Sequence, residues 1–437
     1  MSSLSFLMSL LVALSSLFSG FVATGNPKAV EDDFVPVMRF VTTSDTHVKT
    51  YGDKACIRIA KLMRSAYQIA ASDKDYNKVD AFTFNGDLTD RGREAQYQAF
   101  ASYTQANLKG DTKRLCVVAR SHDSSALGPA GALEYFKSVT GQAETDYHEV
   151  INGFHFIGIS SSSSSEEHYT AAQVQWLDEQ LAIAAQDGGA DKPIFVFQHE
   201  HVRNTVFGSS DFDGWGMTNF TAVLNKYPQA IHISGHSHYP ADDPRSIWQG
   251  GFTAINDGGM AYYELTVDDE RVVHPSDSGR MAQALFIEVD ADNRVLVRVY
   301  DVTDECFIRE YLIDNKNEPN KYSHELRAAA AEKNPPVFPA DAEMTMKKIA
   351  GKYTFVVPQA QTAEDNEVFL YRIIVADMAN NIIHQDKVLA DNYRANPPAT
   401  AKFTVDKPDA SGRYCAAIVA EDVWGVQSNP LYVYFDV

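Results

Sequence analysis

From residue 36 onward, short apolar runs alternate with stretches of helical periodicity, and this alternation restricts the fold more than any other feature of the chain. Residues 37–43, 79–84 and 115–119 read as strands, with amphipathic stretches over 55–71 and 94–108 between them. Strands bounded by loops and spaced by helices predict a sheet covered by helices on its faces. Asn152-Gly153, inside the apolar run 150–159, is a two-residue hairpin signal, so part of the sheet is expected to be antiparallel. A helix over 170–185, a strand over 193–197, a short helix over 219–225 and a strand over 230–234 follow, and runs at 284–289 and 295–300 complete the unit. The expected class from this pattern is mixed α/β, over residues 36–314.

Residues 315–339 are polar and end in Asn334-Pro335-Pro336-Val337-Phe338-Pro339, which excludes helix at that point and reads as a linker. Beyond it, residues 340–437 carry short alternating runs separated by Gly, Pro, Asn and Asp, the pattern of a small all-β sandwich. The stretch from Gly412-Arg413-Tyr414 to Trp424-Gly425 resembles the penultimate strand and turn of fibronectin type III-like modules. At the other end, residues 1–25 contain no charged side chain and carry an apolar stretch over 4–17 followed by small residues, which reads as a signal peptide. The expected location is therefore secreted, periplasmic or cell-surface, with an uncleaved anchor as the alternative and no span in the mature chain.

With 58 Asp plus Glu against 38 Lys plus Arg, the formal net charge of −20 repels polyanions and argues against general nucleic-acid binding. Cys56, Cys116, Cys306 and Cys415 are scattered without close spacing, so neither a zinc knuckle nor a disulfide framework is indicated. Cys116 and Cys415 lie in apolar runs and read as buried thiols.

The polar residues that end the apolar runs carry the chemistry. Ser44-Asp45-Thr46-His47 ends the first, Asn85-Gly86-Asp87-Leu88-Thr89-Asp90 the second, His199-Glu200-His201 a later one, and Gly235-His236-Ser237-His238 the last of the group. Loops after strand carboxyl ends converge on one crevice in sheet-plus-helix folds. Mixed carboxylate and imidazole donors suit Mn, Fe or Zn, and a carboxylate such as Asp87 can bridge two cations. His199 and His201 are both candidates, and His199 is preferred because it sits closer to the strand end.

Taken together, Asp45-x-His47, Gly86-Asp87-x-x-Asp90, His122-Asp123, His199 and Gly235-His236-x-His238 resemble the calcineurin-like metallophosphoesterase superfamily over roughly residues 36–310. The resemblance implies a mixed-sheet β-sandwich flanked by helices in four layers, and two divalent metal ions, with Asp45, His47 and His238 on the first, Asp87 bridging, and His199 and His236 on the second. It implies His122 as the catalytic histidine with Asp90 orienting its ring, and hydrolysis of a small-molecule, lipid or nucleotide phosphate ester by a metal-activated water. One motif departs from the pattern. Arg120-Ser121-His122-Asp123 stands where the family has Gly-Asn-His and an acidic residue, so Ser121 replaces an amide ligand of the second metal. Losing one supporting contact to a metal costs on the order of 10 to 100-fold in affinity or activity. Arg120 is a candidate for gripping the substrate phosphate bidentately. Two readings follow: an exported phosphoesterase of monoesters or diesters, or a degenerate relative with an impaired second site that acts by binding.

Overall fold

The computed structural model describes residues 33–161, 168–211, 215–268, 271–275, 277–349 and 351–437. The expected signal peptide and part of the Ser160 to Ser165 tract lie outside them.

Two six-stranded sheets pack face to face. In the first, Pro36–Thr43 lies between Ala81–Asn85, with which it runs parallel, and Gln283–Asp290, with which it is antiparallel. Lys113–Val117 extends one edge, while Val295–Asp301 and Cys306–Ile313 extend the other. In the second sheet, Phe154–Gly158, Ile194–Phe197, Ala230–Ser234 and Thr253–Asn256 run parallel to one another, with Ile247–Gln249 antiparallel at the far edge. The hairpin predicted at Asn152-Gly153 adds Tyr147–Ile151 antiparallel at the edge, with φ of 51° and 81° at the two turn residues, as a type I′ turn requires. Parallel central strands are buried on both faces, which is why they read as continuous apolar runs.

Phe40, Phe156, Phe195 and Phe197 interlock edge-on or stacked between the sheets, at centroid separations of 4.8 to 6.0 Å, with Ile231, Ile233, Leu285 and Ile287 around them. Helices Lys54–Ser72, Glu94–Asn107 and Gly128–Thr140 cover the outer face of the first sheet, and Ala171–Gly188 and Thr221–Leu224 that of the second. Four layers result, as the family resemblance implies. Gly128–Thr140 has no counterpart in the sequence reading, because its apolar side chains blend into a loop rich in Ser and Gly.

The segment expected to be a linker is not wholly extended: Ser323 precedes a helix over His324–Lys333. Its Leu-Arg-Ala-Ala-Ala-Ala core is strongly helix-forming, and Arg327, 8% exposed, bonds the carbonyls of Pro244 and Asp365. The prolines stop the helix where expected. Beyond them, a three-stranded sheet (Thr345–Ile349, Lys352–Pro358, Thr400–Asp406) faces a four-stranded one (Ile382–Leu389, Val368–Asp377, Arg413–Asp422, Leu431–Asp436) around Phe355, Tyr371, Ile373, Phe403, Ile418 and Phe435. Alternation along Arg413–Asp422 turns Tyr414, Ala416 and Ile418 inward, so Cys415 is only half-buried rather than in the core as expected, whereas Cys116 is fully buried. All four cysteines are free thiols. Among the described residues, no helix is long and apolar enough to cross a membrane.

Candidate metal centre

The strand ends bring the predicted residues to one place. Asp45, His47 and His238 form one group whose potential ligand atoms lie within 4.8 Å of one another, and Asp87, His199 and His236 form a second. The two groups touch: Asp87 Oδ2 is 3.3 Å from His199 Nε2 and 3.9 Å from His47 Nε2, and Asp45 Oδ1 is 3.2 Å from His238 Nε2 and 3.9 Å from His199 Nε2. Asp87 therefore faces both groups.

The backbone bends to achieve this. Asp45, His47, Asp87, His236 and His238 all have left-handed φ, at 51°, 46°, 47°, 73° and 55°. Non-glycine residues enter this region at a cost of order 1 to 3 kcal/mol each and persist where the surroundings demand it, typically at functional sites. Cross-links between the loops hold them there, since Asp45 and His47 donate their N–H groups to the carbonyls of Gly86 and Asp87. Two glycines permit the approach. A Cβ on Gly86 would lie 2.6 Å from the His199 ring, and one on Gly235 would lie 1.9 Å from Ser44 Oγ. Close approach is thus the reason for glycine at both motif positions.

The donor set fits metal ions. Asp45 Oδ1 is buried with no hydrogen-bond partner while Oδ2 accepts from the His236 N–H at 2.9 Å, so one carboxylate oxygen is fixed and the other is left over for a cation. His199 Nδ1 faces the Asn85 carbonyl at 2.9 Å and His238 Nδ1 the Tyr262 carbonyl at 3.1 Å, which places the proton on Nδ1 and leaves Nε2 as a donor atom. His47 Nε2 and His238 Nε2 stand 3.1 Å apart, as do His236 Nδ1 and His199 Nε2, close to the spacing of two nitrogens each ~2.0 to 2.1 Å from one ion. The field is right as well. Burial alone would lower His199 and His238, but Asp87 and Asp45 raise the first and Asp45 the second. Burial, joined by the His199 charge, pushes His236 down to about 4.

The remaining predicted residues are also at the site. His122 joins His47 and Asp90 in a third group, and its ring stands edge-on to His47 at 4.4 Å. Asp90 holds the His122 Nδ1 at 2.7 Å through its main-chain oxygen rather than its carboxylate, which instead lies 3.5 Å from Lys49 Nζ. Ser121 donates its hydroxyl to Asp87 Oδ1 at 2.7 Å, so it supports the facing carboxylate and leaves the second group with Asp87, His199 and His236 alone. Arg120 is half-buried at the end of the same loop. Asp123 ties this loop to the next by accepting from the N–H groups of Thr89 and Ala119 and the Thr89 hydroxyl, and burial with the Asp87 charge pushes it up to about 7.

His201, the alternative to His199, is fully buried between the hydroxyls of Ser234 and Ser237 at 2.8 and 2.9 Å, away from both groups. Glu200 is fully buried too, bonded to His168, Ser161 and Tyr169, and His168 draws it down to about 2 against the effect of burial.

Sequence reasoning missed Asp257, although it follows the apolar strand Thr253–Asn256 as the other acidic groups follow theirs. It is fully buried between Ser44 Oγ at 2.6 Å and Asn85 Nδ2 at 2.6 Å, and burial, with the Asp45 charge, pushes it up to about 8. Ser44 Oγ also touches Asp45 Oδ2 at 2.5 Å, and one hydroxyl proton cannot serve two carboxylates. A protonated Asp257 resolves this by donating to Ser44, which donates to Asp45. Asp257→Asn reproduces both contacts and at about pH 4 should change stability by less than about 1 kcal/mol, whereas Asp257→Ala leaves Asn85 Nδ2 with the Thr42 hydroxyl alone and should cost about 1 to 3 kcal/mol in denaturant unfolding at that pH. The folded pKa lies above the unfolded value of about 3.9, so the folded state holds the extra proton between them. The stabilising contribution is full below pH ~4 and lost as pH rises toward 8. The metal-free wild type should therefore lose stability relative to Asp257→Asn across that window.

Residues 38–240 match the calcineurin-like phosphoesterase family. Over this stretch the chain is similar to calcineurin-like phosphoesterases. The chain is 26% identical over 204 residues to a cAMP/cGMP dual specificity phosphodiesterase of Mycobacterium tuberculosis, a stretch covering 45% of this chain and 60% of that protein. Among solved structures, a purple acid phosphatase from yellow lupin (Lupinus luteus) seeds superposes with a TM-score of 0.45 at 12% identity, over 63% of this chain and 53% of the other. The chain thus spans less than two thirds of either relative's length. All the residues of the two groups fall within residues 38–240.

Proposed function

We propose that the chain hydrolyses phosphate esters, monoesters or diesters, at a centre of two divalent ions held by Asp45, His47 and His238 on one side and His199 and His236 on the other, with Asp87 between them. The observation that carries this reading is the Asp87 carboxylate, buried and facing both groups. Bound ions would supply Lewis acidity and a nucleophile at neutral pH. The chain's own residues would do the rest. His122, fixed through Nδ1, offers Nε2 to the leaving oxygen as a proton donor. Arg120 would grip a phosphoryl oxygen. The relative's activity on cyclic nucleotides supports a diester as one substrate class.

The apolar, uncharged stretch before residue 25 supports export of this activity. The C-terminal sandwich is read as fibronectin type III-like. Its three-plus-four strand arrangement and the Tyr414 hydroxyl, which bonds the Ala410 carbonyl at 2.8 Å at the start of a strand, support that reading.

Ser121 favours a second reading, because its bond to Asp87 leaves no amide for the second ion. Metal content and aryl phosphate hydrolysis with added Mn separate the two. Two ions and turnover support the enzyme; one ion, with activity created only by Ser121→Asn plus Arg120→Gly, supports the degenerate relative. On the enzyme reading, Ser121→Asn should tighten the second ion by about 10 to 100-fold, read by calorimetry.

A further inference from the structure

Between strands His201–Val202 and Gly216–Met217 the chain makes an excursion that begins just after His199 and returns at Trp215, whose carbonyl accepts from the His201 N–H at 3.2 Å. Within this excursion Gly208 fits so closely under Tyr239 that a Cβ would lie 2.8 Å from its ring, and the Tyr239 hydroxyl bonds Asp211 at 3.0 Å. The excursion is therefore seated on the loop that carries His236 and His238.

A continuous stack of rings leads from there to the other domain. Trp215 stands edge-on to His236 at 6.2 Å and to Tyr239 at 5.5 Å, and Tyr239 meets Phe207 at 4.3 Å. Phe207 meets Phe369, the second residue of strand Val368–Asp377 in the C-terminal sandwich, edge-on at 6.0 Å. The Arg245 guanidinium lies 3.5 Å from the centroid of Phe207 and 4.5 Å from that of Phe369, clasped between one ring of each domain. Asp243 fixes its plane bidentately at 2.9 and 2.7 Å, and the Arg245 carbonyl accepts from the Phe207 N–H at 2.9 Å. Tyr263, Leu265 and Met281 pack with Tyr393 of the sandwich beside this contact, and Arg309 pairs with Glu367 at 2.7 Å, so the two domains meet over a firm surface.

We infer that the C-terminal sandwich is part of the phosphoesterase machinery: Phe369 is a positioning residue that, through Arg245, Phe207 and Tyr239, sets Trp215 and His236 for the second metal ion. This rests on the two-metal reading proposed above. It also bears on the departure at Ser121. With only Asp87, His199 and His236 in that group, the second ion depends more heavily on how well His236 is oriented. Outer partners of a ligand change metal affinity by about 10 to 100-fold when removed.

The test is a calorimetric Mn titration of the full chain and its variants, each with a thermal unfolding curve. Wild type should take up two ions. Phe369→Ala should bind the first as wild type does and the second at least about tenfold more weakly, and Phe369→Tyr, which keeps the ring, should restore it. Phe369→Leu keeps the volume without the ring and carries the same prediction should the alanine variant not fold. Two ions bound normally by the Ala and Leu variants would overturn the inference alone, as would parallel weakening of both ions that Tyr does not restore. Fewer than two ions on wild type would overturn the two-metal reading and the inference with it.

Discussion

Replacing Asp87 with alanine should lower turnover by on the order of 10³-fold and release the ions. Metal clamping of a phosphoryl group supplies several kcal/mol of transition-state stabilisation, and each 1.36 kcal/mol is tenfold in rate. Asp87 is placed to link the two groups, since Oδ2 faces His199 and His47 while Oδ1 is held by the Ser121 hydroxyl and the His122 N–H. Its loss would leave His199 and His236 without a carboxylate of their own group. Asp87→Asn isolates the charge, because the amide oxygen still accepts from Ser121, and it should lose nearly as much activity. Steady-state kinetics with metal analysis of both variants checks this. Retention of wild-type turnover by the alanine variant would remove Asp87 from the mechanism.

The second large effect concerns His122. Its ring is anchored through Nδ1 by the Asp90 main-chain oxygen and stands edge-on to His47, and it belongs to neither of the two ligand groups that hold Asp45 and Asp87. Removing a positioned general acid typically costs 10² to 10⁴-fold. His122→Ala should therefore lower kcat by about that much while leaving ion stoichiometry intact. The loss should grow with the pKa of the leaving group, being small for nitrophenyl esters and full for alkyl esters, which need a proton to depart. Equal losses across a leaving-group series would show that His122 stabilises charge and donates no proton. Asp90→Ala should cost little by comparison, because the contact that orients His122 belongs to the backbone.

Much of this was legible in the sequence because it depends on local patterns. The central strands are buried on both faces and are therefore continuous apolar runs, and the Asn152-Gly153 turn declares itself by its need for positive φ. The ligand groups could be found because each ends such a run, and Gly86 and Gly235 stand where a Cβ would collide. What was not legible depends on long-range contacts. The helix His324–Lys333 was hidden by its polar residues, and its place is settled by Arg327 reaching Pro244 and Asp365 across the domain contact. Cys415 lies in an apolar run, but strand alternation turns it outward opposite Tyr434. Asp257 stands 212 residues beyond Asp45, and its role exists only because Ser44 falls between the two carboxylates. The stack from Phe369 to His236 joins residues of two domains, which no spacing along the chain announces.

The central claim is that two ions share Asp87 and hydrolyse a phosphate ester. The most direct measurement is elemental analysis of the purified chain loaded with Mn, paired with hydrolysis of an aryl phosphate monoester and diester by the same sample. The account predicts two ions per chain with turnover of at least one ester, and both lost together in Asp87→Ala. One ion or none on the wild type, or turnover that survives in Asp87→Ala, would contradict it.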